Sequence, residues 1–184
     1  AASDVYKRQY GSRIEIKGEY LPRDDINLRL SYSSSSREYD VASGTGTARS
    51  VNHTRQQVGF ILNCTPAASL RLTTRASASA ITPSAEKGFL LCQDLSCTFG
   101  KVPLRLWFRY LLCSTEGWDS RLYAWENDLL SSFSVPALYG ETSRSFIMIS
   151  WKPAESIEAR FKYAFTESGN GLMQEAKGQV RIVF

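Results

Sequence analysis

The chain has 184 residues, 43% hydrophobic and 22% charged, with a net charge of +4; composition alone fits one ordinary globular core. No window approaches the roughly 18 consecutive apolar residues that a membrane-spanning helix needs, which excludes such a helix within it. Lys and Arg are scattered singly, so direct nucleic-acid contact by this segment is not expected.

Residues 1–9 (AASDVYKRQ) have neither the apolar run nor the cleavage pattern of a signal peptide. They resemble a translated sequencing-adapter scar. The natural N-terminus is therefore expected to be missing, leaving residues 10–184 as the native portion.

From Arg13 onward one pattern repeats: alternating apolar and polar side chains, then a turn signal. Ile14 and Ile16 alternate with Arg13, Glu15 and Lys17, and Ile26, Leu28, Leu30 and Tyr32 alternate with Asn27, Arg29 and Ser31. Val58, Phe60 and Leu62 continue it, as do Leu70 and Leu72. In PLRLWFRYLL, Leu104, Leu106, Phe108, Tyr110 and Leu112 share one face, and Arg105, Trp107 and Arg109 the other. Further strands are predicted from Arg144 to Trp151, from Ile157 to Phe165 and from Gln179 to Phe184. In the second of these, Phe161 and Tyr163 face away from Glu158, Arg160 and Lys162.

The expected fold is all-β, an antiparallel up-and-down meander of about nine strands, or eleven if Ser114 to Thr142 holds a hairpin. Alternation of this kind also suits a soluble sandwich or lipocalin-like barrel. Three features favour part of a transmembrane barrel. The runs exceed the roughly 5–6 residues of an ordinary strand, aromatics (Tyr20, Tyr32, Phe89, Trp151, Phe165) stand near strand ends, and the opposite face carries charges of both signs, as a polar lumen would.

The connections alternate in length. LPRDD, NCTPAA, FGKVP and KPAES are short, while SSSREYDVASGTGTARS, the stretch from Ser114 to Thr142 and ESGNGLMQEAKG are expected to be long loops, with AITPSAEK intermediate. Outer-membrane barrels show this asymmetry between periplasmic and extracellular sides. Bacterial single-chain barrels close with an even number of strands, so an odd count implies a missing upstream piece.

The closing run GQVRIVF places Val180, Ile182 and Phe184 on one face and ends on an aromatic residue. It resembles the C-terminal β-signal that the barrel assembly machinery recognises. The stretch from Gly88 to Gly140, above all DSRLYAWENDLLSSFSVPALYG, and SRSFIMISWK after it resemble the C-terminal barrel region of Bacteroidetes helix-hairpin-helix domain-containing proteins. Cys92, Cys97 and Glu141 depart from that pattern. The resemblance implies a location in the outer membrane of a Gram-negative bacterium, with membrane lipid and the assembly machinery as partners. It also implies an N-terminal periplasmic module, absent from these residues, through which DNA or protein contact would run.

Asp119, Arg121, Glu126 and Asp128 fall within ten residues of one another, and alternation puts Arg121 and Tyr123 on one face of an extended segment. These charges are expected to form an ion-pair network holding the segment against the lumen wall or over the barrel mouth; a solvated loop is the alternative. Neutralising Arg121 should then raise protease sensitivity.

No cofactor or metal is expected. Cys64, Cys92, Cys97 and Cys113 form no CxxC pair, and His53 is their only nitrogen partner; they suit free thiols on strands or, in an oxidising compartment, disulfides. His53 is also the only base for a membrane hydrolase, placed on a predicted long loop, and Ser50 and Thr54 beside it are too common a residue type to mark a nucleophile. The paired carboxylates Asp24 and Asp25, Glu38 and Asp40, and Glu126 and Asp128 have no apolar pocket in the sequence to separate their pKa values. GTGTARS lacks a P-loop lysine. The chain is read as a structural or transport-related barrel and not an enzyme.

Overall fold

The computed structural model describes residues 11–42, 48–100, 102–130, 135–169 and 171–183. Among them the chain is all-β, with strands β1 (Gly11–Arg23), β2 (Ile26–Ala42), β3 (Ala48–Ala67), β4 (Leu70–Thr82), β5 (Lys87–Phe99), β6 (Leu104–Thr115), β7 (Leu122–Tyr123), β8 (Ala137–Leu138), β9 (Thr142–Ala154), β10 (Ile157–Ser168) and β11 (Gly171–Ile182). Nine of these form one antiparallel sheet in the order β1-β2-β3-β4-β5-β6-β9-β10-β11. This is the expected up-and-down meander: every hydrogen-bonded neighbour is also the next long strand in sequence. The stretch between β6 and β9 does contain a hairpin, but β7 and β8 have two residues each and pair with each other outside the sheet.

In two expected long loops most of the described residues are strand instead. SSSREYDVASGTGTARS was predicted as a loop because its apolar alternation fades into serines. The ladder nonetheless runs unbroken from Ile26↔Cys64 to Ala42↔Ala48, since backbone pairing needs no apolar side chain. Hydroxyls and amides pair across it, Ser36 donating to Asn52 and Thr54 to Ser36. His53 is consequently on β3 and not on a loop. Likewise most of the described residues of ESGNGLMQEAKG are strand, with Ser168 paired opposite Gly171. Gly171 enters β11 at φ +107°, a conformation glycine takes at little cost. The last strand thus begins at Gly171, not Gln179, and Phe184 lies outside the described residues, as do residues 1–9.

The two faces of the sheet differ sharply. Residues 116–130 and 135–141 cross one face, which bears Arg75, Leu90, Cys92, Arg109, Leu111, Arg144, Phe146 and Lys162, all but Arg75 buried. The other face is bare and carries Ile14, Ile16, Leu30, Val58, Leu91, Phe108, Tyr110, Ile147, Phe161 and Val180, all exposed. Tyr20 and Trp151 stand on it near the end with the 24–25 and 155–156 turns, while Phe89 and Phe165 stand near the opposite end. All four cysteines are unbridged thiols on strands.

Candidate functional site

The segment 116–141 begins with a turn that its own side chains tie. Ser120 Oγ donates to Gly117 O (3.0 Å) and accepts from Gly117 N (3.2 Å), and Trp118 meets Tyr139 edge-on, ring centroids 5.0 Å apart. Ser79 Oγ donates to Ser120 O (2.8 Å), docking the turn on β4. Gly88 permits this approach: a Cβ there would lie 2.7 Å from Ser79 Oγ and would also strike the Ser120 carbonyl.

From Leu122 the segment alternates like a strand. Leu122, Ala124, Glu126 and Asp128 point into the sheet, while Tyr123 and Trp125 are exposed. Leu122, Ala124 and Leu138 pack with Leu90, Cys92, Leu111 and Cys113 in one apolar cluster. Fully burying a leucine contributes about 1.5–3 kcal/mol, so Leu111 and Leu122 anchor the segment before any charge is considered.

The ionic half follows immediately. Arg144 donates from Nε and Nη2 to the two carboxylate oxygens of Glu126 (2.5 and 3.0 Å), and Lys162 Nζ reaches the same group at 3.1 Å. Arg144 also donates to Thr166 Oγ1 at 2.6 Å and lies 3.6 Å from Glu175. Asp128 sits 3.6 Å from Lys162 and 3.5 Å from Lys177, and its Oδ1 accepts from Leu129 N at 2.9 Å. The Phe146 ring lies under both Lys162 and Arg109, at 4.7 and 5.4 Å from its centroid. Arg109, paired through two nitrogens with Asp94, spends its third on the Trp125 carbonyl (2.6 Å). Arg75 approaches the same carbonyl at 3.5 Å and Asp94 at 3.4 Å.

Glu126 and Asp128 therefore meet cations of β9, β10 and β11, while Asp119 and Arg121 form a separate cluster against β2 and β3. Arg121 is held within its own segment: it donates to Tyr123 Oη (2.7 Å) and Trp118 O (2.8 Å), stacks on Trp118 at 4.6 Å, and lies 4.0 Å from Asp119. Asp119 Oδ2 is 3.5 Å from His53 Nε2, and Arg55 donates to the backbone carbonyls of Asp119 (3.3 Å) and Arg121 (2.6 Å). Val180 and Ile182 lie exposed on the bare face of β11.

Burial pushes the Glu126 carboxyl up, but Arg144 and Lys162 outweigh it and hold it below its ordinary 4.5. Asp128 is likewise raised by burial, yet the Leu129 amide, Lys162 and Lys177 bring it below 3.8. Both carboxylates have depressed folded-state values. Their contribution is therefore complete above the unfolded pKa and lost as pH falls through the lower folded one. Protease protection of the segment is expected to hold from neutral pH down to about 5 and to decline only in more acid solution; limited proteolysis with an acid-stable enzyme across that range checks this.

The partners Arg75, Asp94, Arg109, Arg144, Lys162 and Lys177 were not singled out by sequence reasoning as site residues. For Arg109 and Lys162 the available signal was alternation with apolar residues of the bare face, whereas Arg144 stands between Ser143 and Ser145 and Lys177 between Ala176 and Gly178, where the alternation carries no apolar mark. Comparison with known proteins finds no matching family model and no matching curated protein.

Proposed function

We propose that this chain is part of an outer-membrane β-barrel whose interior is occupied by residues 116–130 and 135–141, serving as a structural or transport-related component and not as an enzyme. The observation that carries this reading is the inversion of the two faces. Phe108, Phe161 and Tyr163 are 45%, 47% and 37% exposed, whereas Arg109 and Lys162 are 0% and 1% exposed. A soluble protein rarely leaves so large a contiguous apolar surface open, and hydrocarbon is the solvent that rewards it.

Strand length supports the same reading. Twelve residues at about 3.4 Å each reach roughly 40 Å, enough to cross a hydrocarbon core about 30 Å thick at the tilt of a barrel strand. Val180 and Ile182 fit a β-signal for the assembly machinery, and the likeness to helix-hairpin-helix barrel proteins adds a periplasmic module as the partner-binding part. Fractionation and gel migration test the proposal. Partition into the outer membrane with heat-modifiable migration is expected, and recovery as a stable monomer without detergent would overturn it.

A hydrolase is the weaker reading. His53, Asp119 and Ser35 do line one cavity, but Ser35 makes no hydrogen bond to His53 among the described residues, the contact an activated serine needs.

A further inference from the structure

On the bare face, β4 carries Ala76, Ala78 and Ala80 between two strands with bulkier side chains. The register sets Phe60, Val58 and Gln56 of β3 directly beside these alanines on one flank, and Leu91, Phe89 and Lys87 of β5 on the other. Directly paired residues stand on the same face at the same level, so each alanine methyl lies between two larger groups. The result is a furrow. Its open cavity has a volume of about 480 Å³, and Tyr32, Val58, Ala78, Ala80, Lys87 and Phe89 are among the residues that line it. That volume lies within the roughly 300–1,000 Å³ of sites that take a ligand.

The furrow is polar at one end only. Level with Ala80 stand Ser34, Gln56 and Lys87; level with Ala78 stand Tyr32, Val58 and Phe89; level with Ala76 stand Leu30, Phe60 and Leu91. The four residues from Ala80 to Ala76 advance about 14 Å along the strand. Over that distance the flanks pass from a cation and an amide, through two aromatic rings, to wholly apolar groups. Aromatic rings at such a level mark the edge of a hydrocarbon layer. At the polar end the Glu116 carboxylate accepts a hydrogen bond from the Lys87 backbone amide (2.9 Å), while the Lys87 side chain is exposed.

We infer that this furrow is a binding site for one anionic phospholipid, an acyl chain lying along Ala78 and Ala76 and the phosphate meeting the ammonium of Lys87 and the side-chain amide of Gln56. The inference rests on the membrane reading of the bare face and adds to it a fixed place for one lipid. A chain laid between Val58 and Phe89 is touched on three sides, whereas a chain against the ridges of the same face is touched on one. Charge selects the occupant. An ammonium pairs with a phosphate oxygen by a charge-assisted hydrogen bond, and basic side chains at the membrane surface attract anionic head groups. An apolar protein segment in the same furrow would leave Lys87 without that use.

Photolabelling of the full chain in phosphatidylcholine vesicles tests it, with trace phosphatidylglycerol bearing a diazirine in its acyl chain as the probe and the matching phosphatidylcholine as reference. Mass spectrometry of proteolytic peptides locates the label. Residues 76–91 are expected to be labelled several-fold more than residues 145–161, which carry the exposed Ile147, Trp151 and Phe161 of the same face. Ala78→Phe, which fills the furrow with a ring, should bring the two stretches level, and Ala80→Leu should act in the same direction. Lys87→Gln keeps the backbone amide that Glu116 accepts from and should lower the preference for the phosphatidylglycerol probe about fivefold. Label in both stretches alike, or an excess at residues 76–91 that survives Ala78→Phe, would overturn the furrow and leave the membrane reading standing. Label in neither stretch would remove the membrane reading and the furrow together. An unchanged probe preference in Lys87→Gln would overturn the assignment of the phosphate.

Discussion

Glu126→Ala is expected to release the 116–141 segment from the sheet. The substitution leaves Arg144 and Lys162 buried on the face that Glu126 neutralised, and removing one partner of a buried ion pair costs about 3–5 kcal/mol. Arg144 keeps Thr166 and Glu175, and Lys162 keeps Asp128, so the lower end of that range applies. At 1.4 kcal/mol per factor of ten, about 3 kcal/mol raises the open population roughly a hundredfold. Proteolysis that samples the open state follows that population, so trypsin cleavage after Arg121 should accelerate by a similar factor. Glu126→Gln, which keeps the volume and loses the charge, should give most of the effect. Unchanged cleavage in both variants would show that the apolar cluster around Leu111 and Leu122 holds the segment without help.

Phe161→Lys separates lipid from water as the medium on the bare face. Phe161 is nearly half exposed and sits between Ile149 and Gly178 in the middle of the sheet's span. In water, a lysine at an exposed strand position changes stability by about 0.5 kcal/mol or less. At the midplane of a bilayer it costs about 2–4 kcal/mol. Urea unfolding from phospholipid vesicles should therefore show a clear loss of stability, and Phe108→Lys should behave alike. A midpoint indistinguishable from the parent's would mean that Phe161 never meets hydrocarbon, and the membrane proposal would fall with it.

The alternation of faces was legible in the sequence because strand geometry has period two and this chain loads the two phases with opposite chemistry: Phe108 beside Arg109, Phe161 beside Lys162. Strand ends were less legible. β11 begins eight residues before its predicted start because Met173 and Gln174 reverse the expected phase of apolar and polar residues, although the ladder to β10 continues through them. The serines of β2 hid its extension in the same way. Glu126 and Asp128 stood out as charges, but their partners did not. Lys162 is 36 residues from Glu126 and Lys177 is 49 from Asp128, separations that only the strand register brings together. The register also divided the predicted four-residue cluster, since Arg121 points to the β3 side of the segment and Glu126 to the β9 side.

The length of the second hairpin has a mechanical consequence. Beyond Arg37 on β2 and before Thr54 on β3, the two strands pair only with each other among the described residues. On the β4 side, the six residues from Ala48 to His53 carry β3 about 20 Å past the end of β4 at Thr82. Two-stranded ribbons are marginal by themselves. Its amide protons should be the first of the sheet to exchange with solvent, and any large particle approaching from that end meets this extension before the rest of the sheet.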